Sequence, residues 1–552
     1  MSRQIDPISV SVVWNSLLSV TDEMGSTIRR TAYSEAVREG DDFSTGLFDR
    51  RGRLIAQGNY SPGHLGAMPY LMEHVLRRFA AETFEPGDSI VVNDPYMGSG
   101  HLPDIFFVTP AFFGNTLVGF TVNVAHHVDV GGAGPGSQVV HGVTDAYQEG
   151  IRILPVKLVR RGEFEPDLLQ MILGNVRIPI KVEGDLRAQR NANFVGVERF
   201  VRLYESMGEH VVEECIDEIL LRSCARMKEL MGVIPDGDYA FEDRIDDYGP
   251  DTGPVTFAVD LTVRDGAITV DYSRSSDQVA AGINSYINYT RAYAGFAVRS
   301  IAGALLPQNA GTIDAIKVVA REGCFFNPKH PAPSGGRAAI QVRMFEVVAG
   351  ALAKALPLRT MAAFSHWSNP NIGGIDDSGR PFVMYDLVLG GYGARADTDG
   401  TEALSPVFNC SNIPVEVHEM NNPVLIRKVE FVADSGGAGK FRGGSAVRKE
   451  IELLCAEATV SLLGDRHIFQ PFGLEGGKPG KLATTRVVSG EQERTVSSKE
   501  VITIKRGDVL CLQLNGAGGY GNPADRTRAA VESDIKDGFV SLEAARGDYG
   551  FM

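Results

Sequence analysis

The residues best suited to chemistry are histidines and aspartates that lie together in the first third of the chain. The sequence has 11 histidines in 552 residues, and one stretch holds four of them: His101, His126, His127 and His141. Imidazole nitrogens combined with carboxylate oxygens are typical ligands of catalytic zinc, manganese or iron. The stretch therefore predicts a site for a divalent metal, with zinc or manganese favoured and iron as a further alternative. The plainer alternative is that histidines at strand ends are only hydrogen-bonded in place.

The spacing within this stretch restricts which side chains can meet. The Leu-Pro pair between His101 and Asp104 favours an extended or turn conformation, so both side chains can converge on one point. His126 and His127 are neighbours on a predicted strand, where adjacent side chains point to opposite faces, so only one of them can join that point. Asp129 shares a face with His127 unless the backbone bulges. We assign His101, Asp104, His126 and Asp129 as candidate ligands, with His127 as a candidate substrate contact.

Three further polar residues lie near predicted turns or strand ends. Asp94 ends the strand before the cluster and could reach the same pocket. Asp42 in "REGDDFS" could act as a general base or as an outer partner of a metal ligand, and an ordinary turn aspartate is the alternative. His64 lies in "GHLGAM", which is also predicted to be near a sharp turn. We count Asp42, His64 and Asp94 as candidate catalytic residues.

The elements around these residues are predicted to be strands of one sheet. "SIVVNDP", "DIFFVTPAFF" and "TLVGFTVNVAHHVDV" are rich in β-branched and aromatic residues and are separated by glycine or proline turns. Helical blocks alternate with such stretches along the chain, which predicts an α+β fold with several lobes and mixed sheets. The predicted regions are an N-terminal α/β region with the metal site, a helical segment, a middle α+β region and a C-terminal strand- and glycine-rich region: 1–184, 185–235, 236–410 and 411–552.

Glycine-rich loops are frequent in the C-terminal region and near the histidines. They run over residues 131–136, 435–444, 473–480 and 516–523. None matches the phosphate-binding pattern G-x-x-x-x-G-K-[ST], and none matches G-x-G-x-x-G between a strand and a helix. Tight turns between strands are the favoured interpretation, and we expect no nucleotide site in this chain.

Composition excludes several classes of protein. The net charge of -15 argues against nucleic acid as a partner, because no basic stripe offsets it. No apolar stretch approaches the roughly 18 residues that a membrane span needs, and the N-terminus lacks the features of a signal peptide. The six cysteines are scattered without metal or disulfide spacing, which favours reduced thiols in the cytoplasm.

A series of motifs in order along the chain resembles the hydantoinase B/oxoprolinase family. They are "DDFSTGLFD", "GHLGAM", "GDSIVVNDPYMGSGHLPDIFFVTP", "VNVAHHVDVGG", "EGIRILPVKL", "PVEVHE", "DSGGAGKFRGG", "GLEGGKPG" and "GAGGYGNP". The resemblance runs from about residue 5 to the end. Each motif is weak alone, and their combination is specific.

The resemblance implies a subunit of an ATP-dependent enzyme that opens hydantoin, oxoproline or lactam rings, or that carboxylates ketones. Such subunits work with a hydantoinase A-like ATPase subunit in a hetero-oligomer of paired A and B subunits, so the partner would bind ATP. The metal ligands of the related carboxylases match His101, Asp104 and His126, whereas Asp129 and His127 match less closely.

Departures from the family pattern bear on the substrate. His366 and Trp367 stand where many relatives have small or amide residues, and Asp386 stands where glutamate is commoner. The chain is also shorter than the matching carboxylase subunits, which favours ring opening of a cyclic amide. The alternatives are a subunit of a biotin-independent ketone carboxylase and a non-catalytic scaffold for the ATPase. His366 and Trp367 are the candidate substrate contacts.

Overall fold

The computed structural model describes residues 5–303, 306–313 and 315–552. Its α-helices are α1 (Pro7–Thr31), α2 (Glu35–Arg38), α3 (Pro62–Arg78), α4 (Pro166–Leu173), α5 (Pro179–Met207), α6 (Glu209–Met231), α7 (Ile287–Ala302), α8 (Ala310–Ile313), α9 (Gln341–Ala353), α10 (Val415–Asn421), α11 (Arg528–Lys536) and α12 (Leu542–Tyr549).

The strands are distributed over the whole chain. They are β1 (Phe43–Asp49), β2 (Leu54–Gln57), β3 (Ser89–Val92), β4 (Asp104–Phe113), β5 (Thr116–His126), β6 (Val156–Arg160), β7 (Glu163–Phe164), β8 (Gly237–Ile245), β9 (Val255–Arg264), β10 (Ala267–Asp271), β11 (Ile316–Val319), β12 (Trp367–Ser368), β13 (Asn371–Ile375), β14 (Pro381–Tyr385), β15 (Val388–Leu389), β16 (Val424–Val432), β17 (Ala446–Leu453), β18 (Glu457–Ser461), β19 (Thr484–Ser489), β20 (Gln492–Thr495), β21 (Val501–Lys505) and β22 (Val509–Gln513). The mixture of helices with several separate sheets confirms the predicted α+β class.

The N-terminal sheet carries the predicted metal-site residues. Its strands lie in the order β2-β1-β5-β4-β3-β6-β7, and the predicted strands around the histidines are all members of it. Helices α1 and α5 pack together, and α5 also packs on β4 and β5. An aspartate followed by proline, as at Asp6 and Pro7, predicts the start of a helix. Helix α1 begins there, and the Asp6 carboxylate accepts hydrogen bonds from the N–H groups of Ile8 and Ser9.

The segment "GHLGAM" is helical, and the sharp turn predicted near it lies directly before the helix, where the Tyr60 N–H donates to the Gly58 carbonyl oxygen. Pro62 starts α3 just before this segment, since a proline at the first helical position loses no intrahelical hydrogen bond. Glycine is required within it by close packing: a Cβ at Gly66 would lie 2.5 Å from the Cβ of Ala292 on α7. His64 is therefore held on a rigid helix that packs against α7.

The middle region also follows the predicted elements, with shifted boundaries. The predicted helical stretch begins six residues earlier, at Pro179, and Gly208 divides it into α5 and α6 with a φ of 84°. The Asp-Gly pair at Asp265 and Gly266, between two strand-forming stretches, predicts a hairpin, and β9 and β10 form it as an antiparallel pair. They belong to a sheet with the order β11-β10-β9-β8.

The C-terminal half is interwoven with the middle of the chain. Strands β13 and β14 pair with β18 and β21 in the order β14-β13-β18-β21, so one sheet combines residues from before and after residue 410. A second sheet has the order β16-β17-β22-β19-β20. The division of the chain into four regions stays a prediction. The sheet with the order β14-β13-β18-β21 crosses the predicted boundary at residue 410.

Three of the glycine-rich loops pack directly on one another. Gly437 donates a backbone hydrogen bond to Ala517 at 2.8 Å, and Gly519 donates one to Lys478 at 3.0 Å. A Cβ at Gly437 would lie 2.2 Å from the Lys478 carbonyl oxygen, so only glycine permits this approach. These loops serve as the turns that the sequence favours. In the described residues, no helix is both long enough and apolar enough to cross a bilayer.

Candidate metal centre

The centre of the site is the carboxylate of Asp104, which is fully buried at the start of β4. Its direct partner across the antiparallel pair is His126, the last residue of β5. Oδ1 of Asp104 lies 2.8 Å from Nε2 of His101 and 3.0 Å from Nδ1 of His126. On the other side, Oδ2 lies 3.2 Å from Nε2 of His64. The strand pairing and helix α3 thus bring three imidazoles onto one carboxylate.

The contact between His101 and Asp104 has the geometry of two ligand atoms rather than of a hydrogen bond. Nδ1 of His101 lies 2.9 Å from the Gly335 carbonyl oxygen, which can only accept, so Nδ1 carries the ring hydrogen. Burial, with the nearby Arg337 charge, lowers the pKa of His101 to about 4, so the ring is neutral at neutral pH. Nε2 then faces a carboxylate oxygen with a lone pair and has no hydrogen-bond partner in the part of the chain that the structure describes. Two acceptors at this distance repel each other unless a cation joins them.

The second oxygen of Asp104 is held from the middle of the chain. The Arg337 guanidinium and the Ser99 hydroxyl both donate hydrogen bonds to Oδ2. Burial alone would raise the pKa of Asp104, but its contacts with His101, His64 and Arg337 outweigh this effect and hold the pKa well below its ordinary value. Asp104 is therefore ionised and is available as an anionic ligand.

Asp42 forms an adjacent wall of the same cavity. Its backbone carbonyl accepts a hydrogen bond from the N–H of His126 at 3.0 Å, which aligns the loop before β1 with the end of β5. Its carboxylate accepts a hydrogen bond from the Tyr385 hydroxyl at 3.0 Å and lies within 4.0 Å of Nδ1 of His126. Burial and the Asp42 charge raise the pKa of Tyr385 well above its ordinary value, so the phenol stays protonated and donates.

The cavity at this cluster is narrow and partly open to solvent, with about 20 Å³ that a water-sized group can enter. Predicted site residues on its wall are Asp42, His64, His101, Asp104, His126 and Trp367. The structure thus places one of the two candidate substrate contacts from the segment at 363–374 beside the histidine cluster. Trp367 reaches it from β12, which pairs with β15.

Other predicted residues lie elsewhere, each with its own partner. Asp94 binds Arg152, and Asp129 lies 2.8 Å from the Arg177 guanidinium, so the structure brings neither carboxylate into the cluster. His127 points to the opposite face of its strand, as alternation requires, and its Nε2 lies 2.9 Å from Gln189. His366 is buried with its Nδ1 2.8 Å from the Trp367 carbonyl oxygen, and it does not line the cavity. Strand alternation thus separates His127 from the site despite its proximity in sequence to His126.

Several residues of the cavity escaped the sequence analysis, and all of them except Gln138 come from distant parts of the chain. They are Gln138, Arg337, Gln341, Tyr385 and Cys410. The Gln138 amide lies 2.8 Å from Nε2 of His126 and orients that ring from behind. Arg337 follows the "PSGG" turn, the one local signal of a sharply positioned side chain. Tyr385 directly precedes Asp386, which the sequence analysis selected and which instead binds His418 and Lys449.

The donor set fits a divalent metal ion. One nitrogen each from His101 and His126 and one oxygen of Asp104 lie within 4.8 Å of one another, and all three residues are buried. The unpartnered Nε2 of His101 supplies an independent reason for a cation at this point. Two imidazoles and one carboxylate with the rest of the coordination open to a cavity are typical of catalytic sites rather than of closed structural ones.

Comparisons with known proteins agree with this architecture. The family model described as "Hydantoinase B/oxoprolinase" matches residues 6–523. The B-type subunit of the putative D-/L-hydantoinase of Pseudomonas sp. strain NS671 is 32% identical, over 99% of this chain and 95% of its own length. The chain belongs to the hydantoinase B/oxoprolinase family, and its relatives include ATP-dependent hydrolases.

Solved structures support the same assignment of the fold. The crystal structure of ATP-dependent caprolactamase from Pseudomonas jessenii superposes with a TM-score of 0.92 at 30% identity, covering 99% of this chain and 96% of that one. Nucleotide-free acetone carboxylase superposes with a TM-score of 0.90 at 19% identity, covering 99% and 80%. The second likeness shows a shared fold.

Proposed function

We propose that this chain is the B-type, metal-binding subunit of an ATP-dependent hydrolase that opens a cyclic amide such as a hydantoin, lactam or oxoproline-like ring. The observation that carries the proposal is the convergence of His101 and His126 on Asp104 at an open cavity in a hydantoinase B chain. The names of the hydantoinase and caprolactamase relatives support the substrate class.

The metal ion would be held by His101, Asp104 and His126. When bound, zinc or manganese supplies Lewis acidity, which polarises a carbonyl oxygen and lowers the pKa of a bound water. Gly335 and Gln138 would keep the two rings oriented through the nitrogens that face away from the ion. Arg337 would keep Asp104 ionised and fixed in one rotamer.

Asp42 is our candidate for the general base. Its carboxylate lies on the cavity wall, 3.9 Å from Nε2 of His64 on one side and 3.0 Å from the Tyr385 hydroxyl on the other. Both neighbours would restrict its rotation, so it can take a proton from water at a defined position in the cavity. Trp367 would pack on the ring of the substrate.

ATP would be bound by a hydantoinase A-like partner subunit. An unstrained ring amide is a poor electrophile, so activation by phosphorylation on the partner would precede ring opening in this chain. The designation of the hydantoinase relative as a B-type subunit supports paired A and B subunits. The six cysteines are free thiols in the structure, which supports our proposal of a cytoplasmic location.

The test is to co-express this chain with a hydantoinase A-like ATPase from its own genome and screen the complex against hydantoins, lactams and ketones. We expect ATP-dependent ring opening from the mixture and none from either chain alone. A new carboxylate that requires bicarbonate would instead establish a ketone carboxylase. Ring opening that is unaffected in Asp104→Asn and His101→Gln complexes would establish a scaffold subunit and defeat the proposal.

A further inference from the structure

A second cavity lies beside the metal cavity and shares a wall with it. It is partly open to solvent, with about 280 Å³ that a water-sized group can enter. The Phe408 ring lines both cavities, and Ser61 of the first is followed in the chain by Pro62 of the second. The far wall is formed by Arg299, which projects from the last turns of α7. A molecule in the second cavity would therefore be separated from the histidine cluster by one aromatic side chain.

Arg299 is a buried cation without a matching anion in the described part of the chain. Its residue is 7% exposed, and its Nε has no hydrogen-bond partner. Within residues 5–303, 306–313 and 315–552, no carboxylate oxygen lies within 4.0 Å of its guanidinium: none of the ion pairs found there includes it. Burial lowers the pKa of Arg299 to about 10, with the Tyr70 phenol acting in the opposite direction.

The other deeply buried arginines behave differently. Arg337 binds Asp104, Arg343 binds Asp465 at 2.8 Å, and Arg466 binds Glu346 at 2.5 Å. Burying an unpaired charge is costly, and proteins normally compensate it with a counter-charge. Among the described residues Arg299 faces a cavity instead of a carboxylate, so its guanidinium is open to an anion in that cavity.

We propose that the Arg299 cavity binds an oxyanion group of the substrate, either a carboxylate or a phosphoryl group, and places the attached ring towards Phe408 and the metal cavity. This inference rests on the proposed function, because it assigns the cavity to the same substrate. The planar guanidinium presents paired N–H donors that match both carboxylate and phosphate geometry. Both anions therefore fit the guanidinium. A carboxylate would belong to the substrate ring itself, whereas a phosphoryl group would belong to the activated form of the substrate.

Direct binding tests the site without any turnover. Inorganic phosphate and acetate are titrated by calorimetry into the full chain, into Arg299→Gln and into Arg291→Gln. We expect Arg299→Gln to weaken binding of at least one anion by about tenfold or more, because hydrogen bonds to charged groups are worth at least that factor. Arg291 is the matched control: it lies on the same helix, over the Tyr70 ring at 5.3 Å, and does not line the cavity.

A second variant keeps the test valid if Arg299→Gln does not fold. Gln308 lines the same cavity, and Gln308→Glu adds a negative charge with little change in shape. We expect Gln308→Glu to weaken anion binding, as Arg299→Gln does. Phosphate and acetate that bind neither wild type nor variants, or that bind all of them equally, would overturn the proposal even if the complex proves to be a cyclic amidase.

Turnover by the paired subunits distinguishes the two sources of the anion. If the ring carries the anion, Arg299→Gln should raise KM for a carboxylate-bearing hydantoin by about tenfold or more and leave a neutral hydantoin unchanged. If the activated intermediate carries it, both rings should lose turnover, and phosphate should bind the wild-type chain better than acetate. Anion binding that depends on Arg299 while both rings turn over normally would overturn the assignment of this cavity to the substrate.

Discussion

Two buried clusters of charged side chains in this protein differ in how their charges are balanced. The first is the metal centre around Asp104, and the second joins β8, α9 and the C-terminal region through these residues: Asp243, Arg343, Glu346, Asp465, Arg466 and Lys499. In the second cluster each of the three cations pairs with at least one carboxylate, and Lys499 also lies 3.7 Å from Asp247. Arg343 contacts Asp465 at 2.8 Å and Asp243 at 2.7 Å, so its charge is neutralised within the chain.

The metal centre lacks such a balance. There Arg337 pairs with one oxygen of the Asp104 carboxylate, whereas the other oxygen faces His101 and His126, and Nε2 of His101 has no hydrogen-bond partner in the described part of the chain. The difference teaches that burial of charge alone does not identify a functional site. A cluster whose cations and anions match holds elements together, whereas a cluster whose acceptors converge on one point requires something from outside.

The largest effect is expected from Asp104→Asn in the paired complex. The amide keeps the shape but loses the negative charge, so metal content should fall and kcat should drop by at least about a thousandfold, since Lewis-acid stabilisation supplies several kcal/mol. Elemental analysis and steady-state kinetics measure both. Asp88→Asn is the control: Asp88 is equally buried beside the same sheet but binds Lys157. Full metal occupancy in Asp104→Asn would remove the distinction between the two clusters.

Arg343→Met should break the second cluster without affecting the first. Removing one partner of a buried ion pair leaves uncompensated carboxylates and costs about 3–5 kcal/mol of unfolding free energy. Urea denaturation measures this loss, and the folded fraction should retain its metal. The exposed Arg321, paired with Asp277, provides the control, because Arg321→Met should change stability by less than about 1 kcal/mol. Metal loss in Arg343→Met would show that the clusters are coupled.

The adjacent residues His126 and His127 offer a sharper comparison within one strand. His126→Ala should weaken metal binding by more than the roughly 10–100-fold typical of an outer partner. His127→Ala should leave metal affinity nearly unchanged, because its ring contacts Gln189 on the opposite face. Competition with a chelator measures both affinities. Equal losses would mean that the two rings share one site.

The smallest effect concerns His366, which lies beside the second cluster. Burial lowers the pKa of His366 to about 4 from an ordinary value of 6.5. Below pH 6.5 the unfolded chain therefore binds a proton that the native chain does not, so stability falls as pH drops from 6.5 towards 4. The contribution is about 2 kcal/mol at pH 5 relative to pH 8. His366→Gln should remove this contribution. Urea titrations at pH 5 and pH 8 measure it, and the loss of stability between the two pH values should be about 2 kcal/mol smaller in the variant than in the wild type. An equal loss in both proteins would contradict the lowered pKa of His366.

Much of the fold was readable from local patterns. The cap at Asp6, the hairpin at Asp265 and the strands around the histidines all depend on short-range chemistry, and the structure has them. Local patterns were less informative where tertiary packing outweighs local preference. The segment that contains Gly66 is an example: it is helical, and its glycine lets α3 approach α7 closely.

For the site, the sequence by itself determined which side chains could act as ligands and, through strand alternation, that His126 and His127 must point apart. The tertiary structure alone decided that Arg337 and Tyr385 reach the cluster, that Asp94 and Asp129 are taken by arginines, and that Arg299 faces a cavity. These contacts join residues more than two hundred positions apart or depend on which of several partners lies nearer. The periodicity of the sequence carries no information about such contacts, because they depend on how whole helices and strands pack together.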